Sequence, residues 1–160
     1  MEIERKWLAD AAAIPYDLSG LHSYAIEQFY VAFSPTIRAR RINGGERHVL
    51  TVKTRPEGLQ HDGLQREEYE FPLSAEEYDS LLQDAKGTVI RKTRYTVPLE
   101  NGLTEELDVF SGALEGLVFL EIEFPDTESA LAYPDPSWVK ADVTYDNRYK
   151  NGSLAIHGMP

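Results

Sequence analysis

The chain opens on MEIERKWL, where Glu2, Glu4 and Lys6 stand two residues apart. In an extended chain all three face one side while Ile3 and Trp7 face the other. The same spacing of charge recurs in Arg38 and Arg40, in Lys53 two residues after Thr51, and in Arg66 with Glu68 and Glu70. It recurs again in Lys92 and Arg94, in Glu106 and Asp108, and in Glu121 and Glu123. Guanidinium and ammonium groups gathered on one wall call for an anion, arginine binding it by paired hydrogen bonds and lysine as a point charge. Carboxylates gathered without His or Cys suit a hard cation that takes oxygen ligands, Mg²⁺ or Mn²⁺ ahead of zinc. A phosphate chain carrying its own divalent ion meets both demands.

The elements that must position these residues read as eight strands: EIERKWL, AIEQFYV, TIRARRI, HVLTVKT, LQREEYEF, TVIRKTRYTV, LTEELDVF and GLVFLEIEF. Each is rich in β-branched, aromatic or alternating residues. With 27% of residues charged, chance would place a charged i, i+2 pair at about one starting position in fourteen. Seven of the eight strands carry one, counting Lys53 with Arg55 just past the fourth, and only Gln28 and Tyr30 break the run. The opposite face of the same strands carries Phe29, Ile37, Leu50, Val52, Tyr69, Phe71, Leu107, Leu120 and Ile122, as it would if packed against helices. The expected fold is therefore mainly β (α+β), an eight-stranded antiparallel closed barrel with a charged interior and a few helices packed outside.

Between the fifth and sixth strands, SAEEYDSLLQDAKG predicts a helix: Ser74 is the N-cap, Glu77 completes a capping box, Leu81, Leu82 and Ala85 form the buried stripe, and Gly87 ends it. DTESALAY predicts a shorter helix closed by Pro134, and DLSGLHSYAI contains a weaker helical stretch. The tail from Trp138 reads as a last extended piece followed by a short helix or irregular closing segment.

A chain of 160 residues with 42% hydrophobic content suits one domain, residues 1–160. Its net charge of −11 disfavours nonspecific nucleic-acid binding. The absence of cysteine excludes disulfides and thiolate metal sites, and the start has no signal-peptide pattern, so the cytoplasm is the expected compartment. The richest apolar run, GALEGLVFLEIEF, is broken by Glu115 and Glu121, so no membrane span is expected. Monomer and homodimer are both left open.

Taken in order, the charged pairs resemble a known family. EIERK is similar to the ExExK signature that opens the CYTH proteins, the triphosphate tunnel metalloenzymes. Arg38-Ala39-Arg40, Thr51-Val52-Lys53, Glu68-Tyr69-Glu70, Lys92-Thr93-Arg94 and Glu121-Ile122-Glu123 resemble the family's RxR, TxK, ExE, KxR and second carboxylate strands. DVTYDNRYKNGSLA resembles its closing segment. The likeness implies a tunnel that binds a small-molecule triphosphate with Mg²⁺ or Mn²⁺, and points first to hydrolysis of inorganic tripolyphosphate to pyrophosphate and phosphate. Nucleoside or thiamine triphosphatase activity, adenylyl cyclase activity and a non-catalytic polyphosphate-binding or nucleotide-binding role stay open beside it.

On that footing Arg38, Arg40, Lys53, Lys92 and Arg94 are expected to grip phosphate oxygens. Glu2, Glu4, Glu121 and Glu123 are expected to ligate a metal. A second ion, held by Asp108 with Glu68 or Glu70, would activate the attacking water, and Lys6 would steady the leaving phosphate or a carboxylate of the first strand. His22, His48, His61 and His157 have no ligand spacing and read as surface residues, Tyr149 and Asn151 as packing of the closing segment, and Trp7 and Trp138 as core.

Overall fold

The computed structural model describes residues 1–55 and 64–160. His61 lies outside the described residues. All eight expected strands form: β1 (Glu2–Ala9), β2 (His22–Phe33), β3 (Thr36–Ile42), β4 (Arg47–Thr54), β5 (Gln65–Pro72), β6 (Lys86–Pro98), β7 (Thr104–Ser111) and β8 (Val118–Glu123). They pair antiparallel in the order β5, β4, β3, β2, β6, β7, β8, β1, and β1 returns to β5 to close the barrel. That closing seam is short. It consists of Glu2 opposite Arg66 and Ile3 opposite Gln65, with the Glu4 N–H donating to the Leu64 carbonyl at 3.3 Å. Lower down, β1 leaves β5 and pairs instead with β9 (Val139–Asp142) at Trp7, Leu8 and Ala9.

Two apolar layers cover the barrel from outside. Helix α1 (Ala75–Leu82) covers Phe29 and Ala39, with the fully buried Tyr78 as its anchor and Leu81, Leu82 and Ala85 packed around it. Its capping box forms as the sequence dictates, Ser74 Oγ accepting from Glu77 N and Glu77 Oε1 from Ser74 N. The helix ends at Leu82, before Gly87. That glycine lies within β6, where its φ of +74° and an Ala155 carbonyl 2.4 Å from a would-be Cβ exclude other residues. Helix α2 (Thr127–Ala132) and the segment through β9 cover Ile3, Trp7, Leu107, Leu120 and Ile122. Arg5 fastens this layer. Its guanidinium donates to the Ala130 and Tyr133 carbonyls at 2.8 and 2.6 Å and to Asp135 and Asp142 at 2.9 and 2.6 Å.

The division into an apolar outside and a charged inside holds along part of the lumen only. At one end the inward positions turn apolar: Phe110 follows Asp108 in phase, Phe119 precedes Glu121, and Leu8 follows Lys6. With Tyr30, Ile90, Leu114 and Val143 they form a third core, completed by Leu154 and Ala155 of α3 (Asn151–His157). Tyr69 and Phe71 do lie on the outer face, yet among the described residues no helix covers them and each is 51% exposed. His48 also departs from expectation. It is 9% exposed, its ring 5.1 Å from that of Tyr78 under α1. The weak helical stretch after Asp17 is one 3-10 turn, Leu18–Gly20, leading into β2. Among the described residues no helix is long and apolar enough to cross a membrane.

Candidate active site

Above that apolar end the barrel encloses a cavity of about 540 Å³. Strand alternation brings Glu2, Glu4, Lys6, Arg38, Arg40, Lys53, Glu68, Glu70, Lys92, Arg94, Glu121 and Glu123 to its wall. Asp108 is the one expected site residue that does not line it. That carboxylate is fully buried behind the wall, with Lys92 Nζ at 2.6 Å on Oδ2 and Arg94 Nε at 2.7 Å on Oδ1. Burial alone would raise its pKa, but the Arg94 guanidinium and the Lys92 ammonium outweigh burial and hold it well below the usual carboxylate range. Both oxygens of Asp108 are thus taken by cations, an arrangement that does not fit a metal ligand.

The bases sort into two groups. Lys92 and Arg94 are engaged: burial pushes the Lys92 ammonium down to about 7 against the pull of Asp108. Arg94 adds Glu106 at 3.0 Å and Glu121 at 3.6 Å. Lys53 lies 2.9 Å from Glu2 and 3.4 Å from Glu68 Oε2, the second contact lacking hydrogen-bond alignment. Arg38 and Arg40, by contrast, have no carboxylate partner among the described ion pairs. Arg38 Nη2 donates to Thr51 Oγ1 at 3.4 Å, while its buried Nε has no hydrogen-bond partner among the described residues. Burial, reinforced by Arg38 and Arg94, lowers the Arg40 pKa to about 10, the signature of a cation that lacks a counter-charge.

The acids divide likewise. Glu121 is neutralised, 3.8 Å from Lys6 and 3.6 Å from Arg94. Glu4 sits directly opposite Glu123 in the β1–β8 register and has no cation against it among the described ion pairs. Burial first, then Glu121 and Glu2, raise the Glu4 pKa well above its ordinary value. Burial with Glu2 and Glu68 raises that of Glu123. Lys6 donates to the Tyr149 carbonyl at 3.4 Å and lies over the Phe119 ring at 4.7 Å.

The sequence assigned no role at the site to several residues in or around the cavity. Glu106, in phase with Asp108, lines the cavity, and burial raises its carboxyl despite Arg94. Gln28 stands at an inward position of β2, and its Oε1 accepts from Arg40 Nε at 2.7 Å. Tyr149 and Asn151 reach the cavity with Thr144 and Ser153, from an irregular closing segment that carries no periodic signal.

A divalent cation can be tested against this donor set. Among the described residues no three carboxylate or imidazole side chains converge as ready-made ligands. Like charges do not converge unaided, and the raised carboxyls of Glu4 and Glu123 are the mark of oxygens that lack a cation. All-oxygen donors on two adjacent strands suit a hard ion that keeps several waters. The residues fit the group.

A closed antiparallel barrel holding uncompensated guanidinium groups and uncompensated carboxylates in one lumen is a tunnel for a polyanion and its counter-cation. Residues 1–133 match the model of the CYTH domain. The inorganic triphosphatase of Nitrosomonas europaea is 38% identical over 97% of both chains. That of Acetivibrio thermocellus is 35% identical over 96% of this chain and 92% of its own. The solved structure of the inorganic triphosphatase NE1496 superposes with a TM-score of 0.69 at 31% identity, covering 100% of this chain and 97% of that one. The chain belongs to the CYTH domain family, and the family implies a divalent metal ion.

Proposed function

We propose that this protein hydrolyses inorganic tripolyphosphate to pyrophosphate and phosphate with Mg²⁺ or Mn²⁺ as cofactor. The observation that carries the reading is the convergence in one cavity of Arg38, whose buried Nε has no hydrogen-bond partner among the described residues, with Glu4 and Glu123, which have no cation partner among the described ion pairs and whose carboxyls are raised by burial and by neighbouring acids. The named activity of the relatives supports it.

Arg38 and Arg40 are the primary phosphate grip, because their charge is not spent on carboxylates. Lys53 joins them when a cation takes over Glu2. Lys92 and Arg94, locked by Asp108, form a fixed positive floor that polarises phosphate oxygens without moving. Glu2, Glu4, Glu121 and Glu123 would hold the metal. Once bound, it would neutralise phosphate oxygens and lower the pKa of a coordinated water. Lys6 faces the leaving pyrophosphate or steadies Glu121. Glu68 and Glu70 come from β5, the neighbour of β1 at the closing seam, where Lys53 stands between Glu2 and Glu68; from there they would orient the attacking water in line with the terminal phosphorus. Water adds to that phosphorus and releases a proton to solvent, the bridging P–O bond breaks, and its electron pair leaves with pyrophosphate.

Phosphate release from tripolyphosphate, ATP, thiamine triphosphate and pyrophosphate, each with Mg²⁺ and with Mn²⁺ and with cyclic AMP followed in parallel, tests the reading. Tripolyphosphate should give the highest kcat/KM, with none of the activity surviving chelation. Tight binding without phosphate release, or a preference for ATP with cyclic product, would overturn it.

A further inference from the structure

Gln28 is an uncharged side chain set among ions. It is fully buried and stands directly opposite Arg40 in the β2–β3 register. Arginine only donates, so the carbonyl end of the amide must face Arg40 Nε, at 2.7 Å. The amino end then points away and donates to Asn151 Oδ1 at 3.3 Å, at the first residue of α3. The amide orientation is thereby fixed from both sides. Arg40 is anchored through the one nitrogen that does not belong to its fork, which leaves both terminal nitrogens for a ligand in the cavity. A glutamate of the same shape would hold the same geometry and neutralise the charge. The amide orients the guanidinium and leaves its charge uncompensated.

We propose that Gln28, held by Asn151, is a positioning residue that aims Arg40 at the phosphate chain without neutralising it. This rests on the reading of the cavity as a triphosphate site. Gln28 does not itself face the cavity, so every effect of its substitution should pass through Arg40.

The test uses Gln28→Leu and Gln28→Glu in the wild-type chain and in an Arg40→Ala background. Both single variants should raise KM for tripolyphosphate about tenfold, the effect of one charge-assisted hydrogen bond, with kcat within about threefold of wild type. On the Arg40→Ala background neither should change KM further by more than about twofold. In the apo protein the Arg40 Nε–H NMR resonance should be protected from exchange in wild type and in Gln28→Glu, and unprotected in Gln28→Leu. Unchanged KM in a folded variant, an equal KM increase without Arg40, or an unprotected wild-type resonance would overturn the proposal. An unaltered resonance pattern with a wild-type enzyme inert toward tripolyphosphate would instead locate the failure in the functional reading, and this inference would fall with it. Gln28→Leu keeps the test open if the buried glutamate prevents folding.

Discussion

At the scale of single residues, pairing decides function more than identity does. The cations and acids of the site share the same spacing in the sequence, yet the structure divides them into ions already spent on one another and ions left waiting. Asp108 is the clearest case. Its i, i+2 relation to Glu106 made it look like another wall residue, but the register sets it opposite Arg94, which donates to both of its oxygens, and Lys92 closes over Oδ2 as well. Removing it leaves two buried cations without their partner. Asp108→Ala should therefore destabilise the fold by about 3–5 kcal/mol, the cost of breaking a buried ion pair. Thermal or urea unfolding should show that loss equally with and without divalent ion. A loss confined to the metal-loaded protein would mean that Asp108 is a ligand after all. The sequence could not reveal this, because alternation says which face a side chain takes and nothing about which neighbour it meets across the ladder.

At the scale of elements, what is local was legible and what is closed by distant segments was not. All eight strands and α1 follow from alternation, capping and turn chemistry within a few residues of each other. The capping box of Ser74 and Glu77 needs nothing outside its own turn, so Ser74→Ala should cost about 1 kcal/mol in unfolding experiments and leave catalysis unchanged. A change in KM on that substitution would mean that α1 communicates with the cavity, which its seat on the outer face of β2 and β3 does not provide for. The end of the same helix was misplaced because Gly87, read as a C-cap, is a strand glycine required by the close approach of α3, a contact 68 residues away in the chain. The apolar closure of the lumen was hidden for the same reason. Phe110 and Phe119 continue the inward rows of Asp108 and Glu121, and only the arrival of Leu154 and Ala155 makes them a core. Thr144 was passed over, Gln28 was read as a break in the charged run and Asn151 as packing, because polar uncharged residues give no periodic signal against a background of ions.

For the molecule as a whole, the waiting charges link stability to pH and to metal. A carboxyl whose folded pKa lies above its unfolded value keeps its proton longer in the native state, so it carries no penalty at low pH and an increasing one as pH rises toward the folded pKa. Glu4, Glu123 and Glu106 are all of this kind. Asp108 and Glu121 have depressed values, and their stabilising share is complete above the ordinary carboxylate range and lost only in stronger acid. Lys92, lowered to about 7, acts in the opposite sense to Glu4 but only above that pH, where the unfolded chain still binds the proton. Between pH 5 and 6.5, roughly the interval above the ordinary carboxylate values and below the Lys92 titration, the raised acids govern the site. The metal-free protein should therefore lose Tm as pH rises through this interval. Excess Mg²⁺ should flatten or reverse the slope, because the ion binds the deprotonated carboxylates that create the penalty. The net charge of −11 also favours the lower pH by easing general repulsion, so Glu4→Gln supplies the control. It removes one waiting acid and leaves the rest of the surface nearly unchanged. Calorimetry should find the variant more stable than wild type without metal at pH 6.5, with a shallower slope and a smaller gain from Mg²⁺. A Glu4→Gln protein with the full wild-type slope and the full Mg²⁺ stabilisation would show that the cation is held elsewhere in the barrel.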